Sequence, residues 1–195
     1  MVRVRLSVMQ SVHDVLQFWF GPVPGERRKA WFIKDTAFDD GMRTRFLDLH
    51  EAASQGTLDS WKATAQGALA LIVVTDQFPR NMFRGSARAF ATDPMALATA
   101  NHVLAQGWDA LMRPVERLFV YLPFEHSEVL ADQTRSLELF APLGDFEPTK
   151  DTPDYARRHW EVVKRFGRFP HRNAALGRPG TPEETEFLKQ PGSGF

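Results

Sequence analysis

The sequence predicts an all-α fold, and three observations carry the prediction. Residues 68–74, ALALIVV, are apolar without a gap, so a helix there is apolar on every side and belongs at the centre of a stack. Asp93-Pro94, Thr152-Pro153 and Thr181-Pro182 repeat one helix-start pattern, a capping side chain and then proline at the first helical position. No segment alternates apolar and polar residues for long enough to make a strand.

The elements follow in order. Ser11 with Asp14 reads as a capping box for a helix over 12–20, closed by Gly21-Pro22, with Trp19 and Phe20 as core anchors. A short helix over 26–33 carries Trp31 and Phe32. Thr36 with Asp39 opens a helix to Ser54, stopped by Gly56; its stripe is Phe38, Met42, Phe46, Leu49 and Ala53, and Gly41 inside it suggests close packing. The central helix spans about 60–78, where Pro79 should end it. A loop over 81–92 leads to a helix capped by Asp93 and ended by Gly107. Pro114 starts the next, with Val115, Leu118, Phe119 and Leu122 on one face. Pro123 interrupts it, and a further helix runs over 124–140. After a loop over 141–151 come helices over 152–166 and, with Glu184 completing a capping box, 181–189. Residues from Gln190 and the N-terminal tail should fray, which leaves a single domain with its core over about 12–189. Short connections favour antiparallel helical hairpins.

Several polar residues fall on apolar stripes. His126, Leu130, Gln133, Leu137 and Phe140 are spaced 4, 3, 4, 3, and Tyr155, His159, Val162 and Phe166 are spaced 4, 3, 4. The central stripe Leu69, Ile72, Val73 ends in Asp76. Such groups need partners, because burying them unpaired costs a few kcal/mol each. They fit either a structural network, with Asp76 or Glu125 on a buried histidine and Gln133 on a loop carbonyl, or a pocket between helices. Arg80, Asn81 and Arg84, then Arg165 and Arg168, then His171, Arg172 and Asn173 add forks suited to carboxylate or phosphate, so an anion site is expected where these segments meet. The candidate catalytic groups are Glu125 and His126; Glu125 and Glu128 share a helical face at i, i+3. Ser127 reads as a helix cap, since no nucleophile elbow surrounds it. Phe78-Pro79-Arg80-Asn81 is echoed by Phe169-Pro170-His171-Arg172-Asn173.

Composition narrows the function. The 195 residues carry 24 Lys and Arg against 24 Asp and Glu, which argues against a nucleic-acid binder. There is no cysteine, which excludes disulfides and thiol chemistry and fits a reducing cytoplasm. No apolar run reaches membrane-spanning length, and the N-terminus lacks the apolar stretch of a secretory signal. Metal-ligand spacings, phosphate loops and dinucleotide motifs are missing, so neither metal nor cofactor is indicated.

The motifs DQFPRNMFRG (76–85), YLPFEHSE (121–128) and RFGRFPHRN with LGR (165–178) resemble the bacterial domain-of-unknown-function family 924. VLQFWFG near the start and TPEETEFL near the end extend the resemblance over about 12–189. It implies a TPR-like all-α fold and brings no activity, substrate or catalytic residue. Two functions follow as expectations. One is a binder of a small anionic ligand, or an enzyme, with a pocket lined by the three motifs. The other is a TPR-like protein- or peptide-interaction module in which the motif residues are a structural network. A closed pocket lined by Arg80, His126 and Arg172 favours the first; a paired network without a cavity favours a structural role for the motifs.

Overall fold

The computed structural model describes residues 10–31 and 33–194, so the expectations for the N-terminal tail and for Phe32 lie outside the described residues. The described residues form helices and turns with no strand. The helices are α1 (Val12–Phe20), α2 (Thr36–Ser54), α3 (Ala65–Ile72), α4 (Phe78–Met82), α5 (Asp93–Ala105), α6 (Pro114–Glu125), α7 (Leu130–Phe140), α8 (Thr152–Phe166) and α9 (Pro182–Phe187). Helix α3 packs on α1, α5 and α6, α6 on α7, and α7 on α8. The apolar run is thus central, as its composition requires. Trp19, Phe46, Phe78 and Phe119 gather around it in the main core, and Trp31 stacks on Trp19. Val162, Val163 and Phe169, with Phe166 and Phe187, make a second and smaller cluster. No helix among the described residues is long and apolar enough to cross a membrane.

The central helix starts later and ends later than expected. Residues Asp59–Ala63 form a separate 3-10 turn, and Thr64 caps α3 by accepting the N–H of Gly67. A Cβ on Gly67 would lie 2.1 Å from the carbonyl oxygen of Trp61, so only glycine fits where that turn meets the helix. Pro79 does not stop the chain. Residues Val73–Gln77 widen into a π-turn, the N–H of Phe78 reaches back five residues to Val73, and the helix resumes as α4. The widening relieves the clash that a proline ring makes with the carbonyl four residues back. Side chains collect the carbonyls that lose partners. His50 Nδ1 donates to Val74 O at 3.0 Å, Thr92 Oγ1 to Thr75 O at 2.5 Å, and Arg80 to Asp76 O at 2.6 Å.

Other boundaries move for comparable reasons. Helix α6 runs through Pro123 and breaks at residues 126–129 instead. His126 is therefore outside α7, and the expected stripe fails: Leu130 is exposed, and α7 buries Gln133, Ser136, Leu139 and Phe140. On α8, His159 and Val162 are buried but Tyr155 is exposed. Asp35 rather than Thr36 caps α2, and nothing packs near Gly41, so its glycine serves no close approach. The described residues of 26–33 give the 3-10 turn Lys29–Trp31 in place of a longer helix, and residues 81–92 include the end of α4 and a turn at Ala87–Ala89. Two further 3-10 turns occupy 141–149. The capping box of α9 forms as expected, but the helix ends at Phe187, and Ser193 folds back to bond Leu188 O.

Candidate functional site

The π-turn sets the site. It carries Asp76 into the interior, fully buried, where Oδ1 accepts the Nδ1–H of His126 at 2.8 Å and Oδ2 accepts Gln77 at 2.5 Å. Burial alone raises a carboxyl pKa, but Arg80, His126 and Gln77 more than offset it and hold Asp76 well below the usual range. Arg80, one turn on, lies 3.2 Å from Asp76 and forks onto both oxygens of Asp93 at 2.7 and 2.9 Å. Asp93 was expected as a cap. It is instead the first residue of α5, and its carboxylate also takes Arg172 at 3.2 Å. The two arginines of the Phe-Pro echo thus meet on one carboxylate. Arg172 donates to His126 O at 2.9 Å and lies between the rings of Phe90 and Phe169, while its Nε has no hydrogen-bond partner. Burial and then Arg80 depress its pKa to about 10.

Beside this charged layer lies a neutral one. Glu125, at the end of α6, is pushed up to about 8 by burial and then by Asp76. Its Oε2 is buried without a hydrogen-bond partner. Across from it on α8, His159 gives its Nδ1 proton to Tyr155 O at 2.9 Å and is held down at about 3, burial being the main cause. His171 is lowered to about 4 by burial and Arg172, and His126 is lowered by burial and Arg80. All three imidazoles are therefore neutral at pH 7. Gln133 bridges the break between α6 and α7, donating to Glu125 O at 2.5 Å and Ser127 O at 2.7 Å, the loop-carbonyl role that its sequence position suggested. Ser127 does not cap α7, whose N-cap is Val129 without a side-chain bond; its Oγ accepts the N–H of Val129 and donates to Asp132.

The remaining candidates lie around this centre. Glu128 does not share a face with Glu125; it accepts the N–H of Phe169 at 2.7 Å and a fork from Arg178 at 2.6 and 2.9 Å. Arg84 turns to Asp39 on α2 and to Asn81. Arg165 pairs with Glu183 at the surface, Arg168 forks onto Glu184, and Asn173 joins Glu184 to Arg178. Asp93, Arg178 and Glu184 are the partners that sequence reasoning missed. Asp93 carried no local signal beyond its helix-start pair with Pro94.

The three motif segments converge around Asp76, His126, Glu128 and Arg172. Each motif arginine already faces a carboxylate, and the histidines add no charge. Two surface clefts open elsewhere, of about 260 and 140 Å3, the first lined by Ala65, Gln66, Leu69, Leu111, Met112 and Glu116 and the second by α1 with Arg113. No candidate residue lines either. Among the described residues, no group of three or more His, Asp or Glu side chains is placed to hold a metal ion.

Residues 15–192 match the family described as "Bacterial protein of unknown function (DUF924)". The chain belongs to the DUF924 family. A solved structure, that of a protein of unknown function from Agrobacterium tumefaciens, is 43% identical with a TM-score of 0.83. The likeness covers 91% of this chain and 96% of that one. No curated protein matches the sequence. Family membership therefore fixes the all-α fold and leaves the activity of this DUF924 chain to the chemistry of its own residues.

Proposed function

We propose that the cluster is a site for a small hydrogen-bonding ligand, with His126 as its working base. The observation that carries this is the 2.8 Å bond from His126 Nδ1 to the fully buried Asp76. With its proton on Nδ1, a neutral imidazole presents Nε2 as a lone-pair acceptor, and a buried carboxylate fixes that tautomer and stabilises the imidazolium formed when Nε2 takes a proton. Burial and Arg80 keep the ring uncharged at neutral pH, the state a base must hold. The charge balance shifts the expected ligand away from a strong anion, since Arg80 and Arg172 already share Asp93.

The test is nitrogen-detected NMR of His126 during a screen of small amides, sugars, carboxylates and phosphates. The reading predicts an Nδ1–H tautomer and an Nε2 shift with a ligand, lost in Asp76→Asn. An Nε2–H tautomer defeats it. The second reading, an interaction module with the motifs as internal bracing, is favoured by the pairing of every motif arginine and by the absence of candidate residues from both clefts. It predicts that His126→Gln leaves partner capture intact.

A further inference from the structure

The base proposed above has a difficulty that the C-terminal segment resolves. Only 13% of the His126 side chain is exposed, and Arg172 sits on its carbonyl. Residues 168–187 reach this region through Arg172 and through Phe169, whose ring lies 5.5 Å from that of His159. That stretch is braced internally: Arg168 and Asn173 hold Glu184, and Arg178 holds Asn173. Its apolar grip on the body is the small second cluster, in which Phe169 and Phe187 pack with Val162, Val163 and Phe166 of α8, rather than a share of the main core. Beyond that cluster its grip on the body is polar, and Arg165 on α8 pairs with Glu183. Glu128 takes three bonds from it, from Phe169 N and both terminal nitrogens of Arg178, and Arg172 reaches Asp93 and His126 O. At its start, Gly167 has φ of +69°, and nothing packs within 4 Å of where its Cβ would be.

We propose that residues 168–187 are a cap that opens as a unit about Gly167, released at Glu128, and that opening brings His126 into reach of its ligand. The inference rests on the reading of His126 as a ligand-facing base. Segments held by few apolar contacts are those that open below the global unfolding free energy. Glu128 is the natural release point, because one carboxylate ties a backbone N–H and a guanidinium of the cap to the turn between α6 and α7.

Native-state hydrogen exchange tests this on the full chain. Amides of 168–187 should exchange ahead of those in α3 and α6. Glu128→Gln should speed them about tenfold, the effect of weakening a charge-assisted contact, while α3 and α6 stay unchanged. Acylation of His126 by diethyl pyrocarbonate should accelerate in parallel. Exchange of 168–187 in step with α3 and α6 in the wild-type chain overturns the proposal, as does a His126 whose acylation ignores the substitution. A cap that opens over a His126 whose Nε2 answers no ligand supports the opening and removes the base reading alone.

Discussion

Glu125 Oε1 lies 3.4 Å from Nδ1 of His159, and the pair meets without charge. The imidazole spends its proton on Tyr155 O, and burial keeps it from gaining another. The acid keeps its own proton because burial and Asp76 both oppose ionisation. A contact that geometry alone would class as an ion pair is a neutral acid against a neutral ring.

Glu125→Gln should therefore stabilise the protein at alkaline pH. The folded pKa of about 8 lies above the ordinary 4.5, so the folded state holds an extra proton between those values. Stability from this group is fully present below about 4.5 and declines as pH rises to 8, by up to about 1.4 kcal/mol per unit. Glutamine mimics the protonated acid and removes the decline. Urea unfolding should show the variant ahead at pH 8, by roughly 4 kcal/mol, and level with wild type near pH 4.5. A variant weaker than wild type throughout would mean a true ion pair.

The histidines act on the other side. His159, His171 and His126 all have folded pKa values below the ordinary 6.5, so the unfolded chain binds more protons as pH falls through that value. Their contribution is present above 6.5 and is lost toward about 4, the level of His171. Set against Glu125, this puts the stability maximum near pH 6.5. Unfolding midpoints from pH 4.5 to 8.5 check it: a peak is expected in the wild type, and a plateau above 6.5 in Glu125→Gln. A wild-type plateau across the whole range contradicts both assignments.

Asp93→Asn separates its two readings. A lost helix cap costs roughly 1 kcal/mol, and asparagine replaces aspartate in a cap with little loss. Removing the one carboxylate shared by two buried guanidiniums costs roughly 3–5 kcal/mol. Chemical denaturation should return the larger figure, with Arg172→Met restoring part of it, because Asp93 is the ion-pair partner of Arg172 while Arg80 keeps Asp76. A loss under 1 kcal/mol returns Asp93 to the cap role.

The fold was legible wherever one local rule acted alone. The apolar run of α3, the caps of α1 and α9 and the stripe of α2 all followed from neighbours within a turn. The site was legible in its parts: Asp76 on a histidine, and Gln133 on a loop carbonyl. What failed depended on distant chain. Asp93 carries a good capping side chain, and only the meeting of α4 with the 168–178 segment shows that its carboxylate is spent elsewhere. His126 was grouped with a stripe of α7 that does not exist, because the helix passes through Pro123 and breaks three residues later. The acids that reach the motif arginines from α2, α5 and α9 were equally beyond local rules.

Pro79 and Thr92 should be energetically coupled. In a regular helix Thr75 O would receive the N–H of residue 79, which proline lacks, and the Thr92 hydroxyl supplies the missing donor at 2.5 Å. Thr92→Val then leaves a buried carbonyl unsatisfied, costing roughly 1–3 kcal/mol. Pro79→Ala returns a backbone donor at that position, so the same Thr92→Val change made in its background should cost under about half as much. A double-mutant cycle by urea unfolding reads the difference directly. Strict additivity would mean that the π-turn is imposed by the packing of Phe78 and Asp76 and owes nothing to the proline. A coupling of about 1 kcal/mol would tie the turn, and with it the placement of Asp76 under His126, to that one missing N–H.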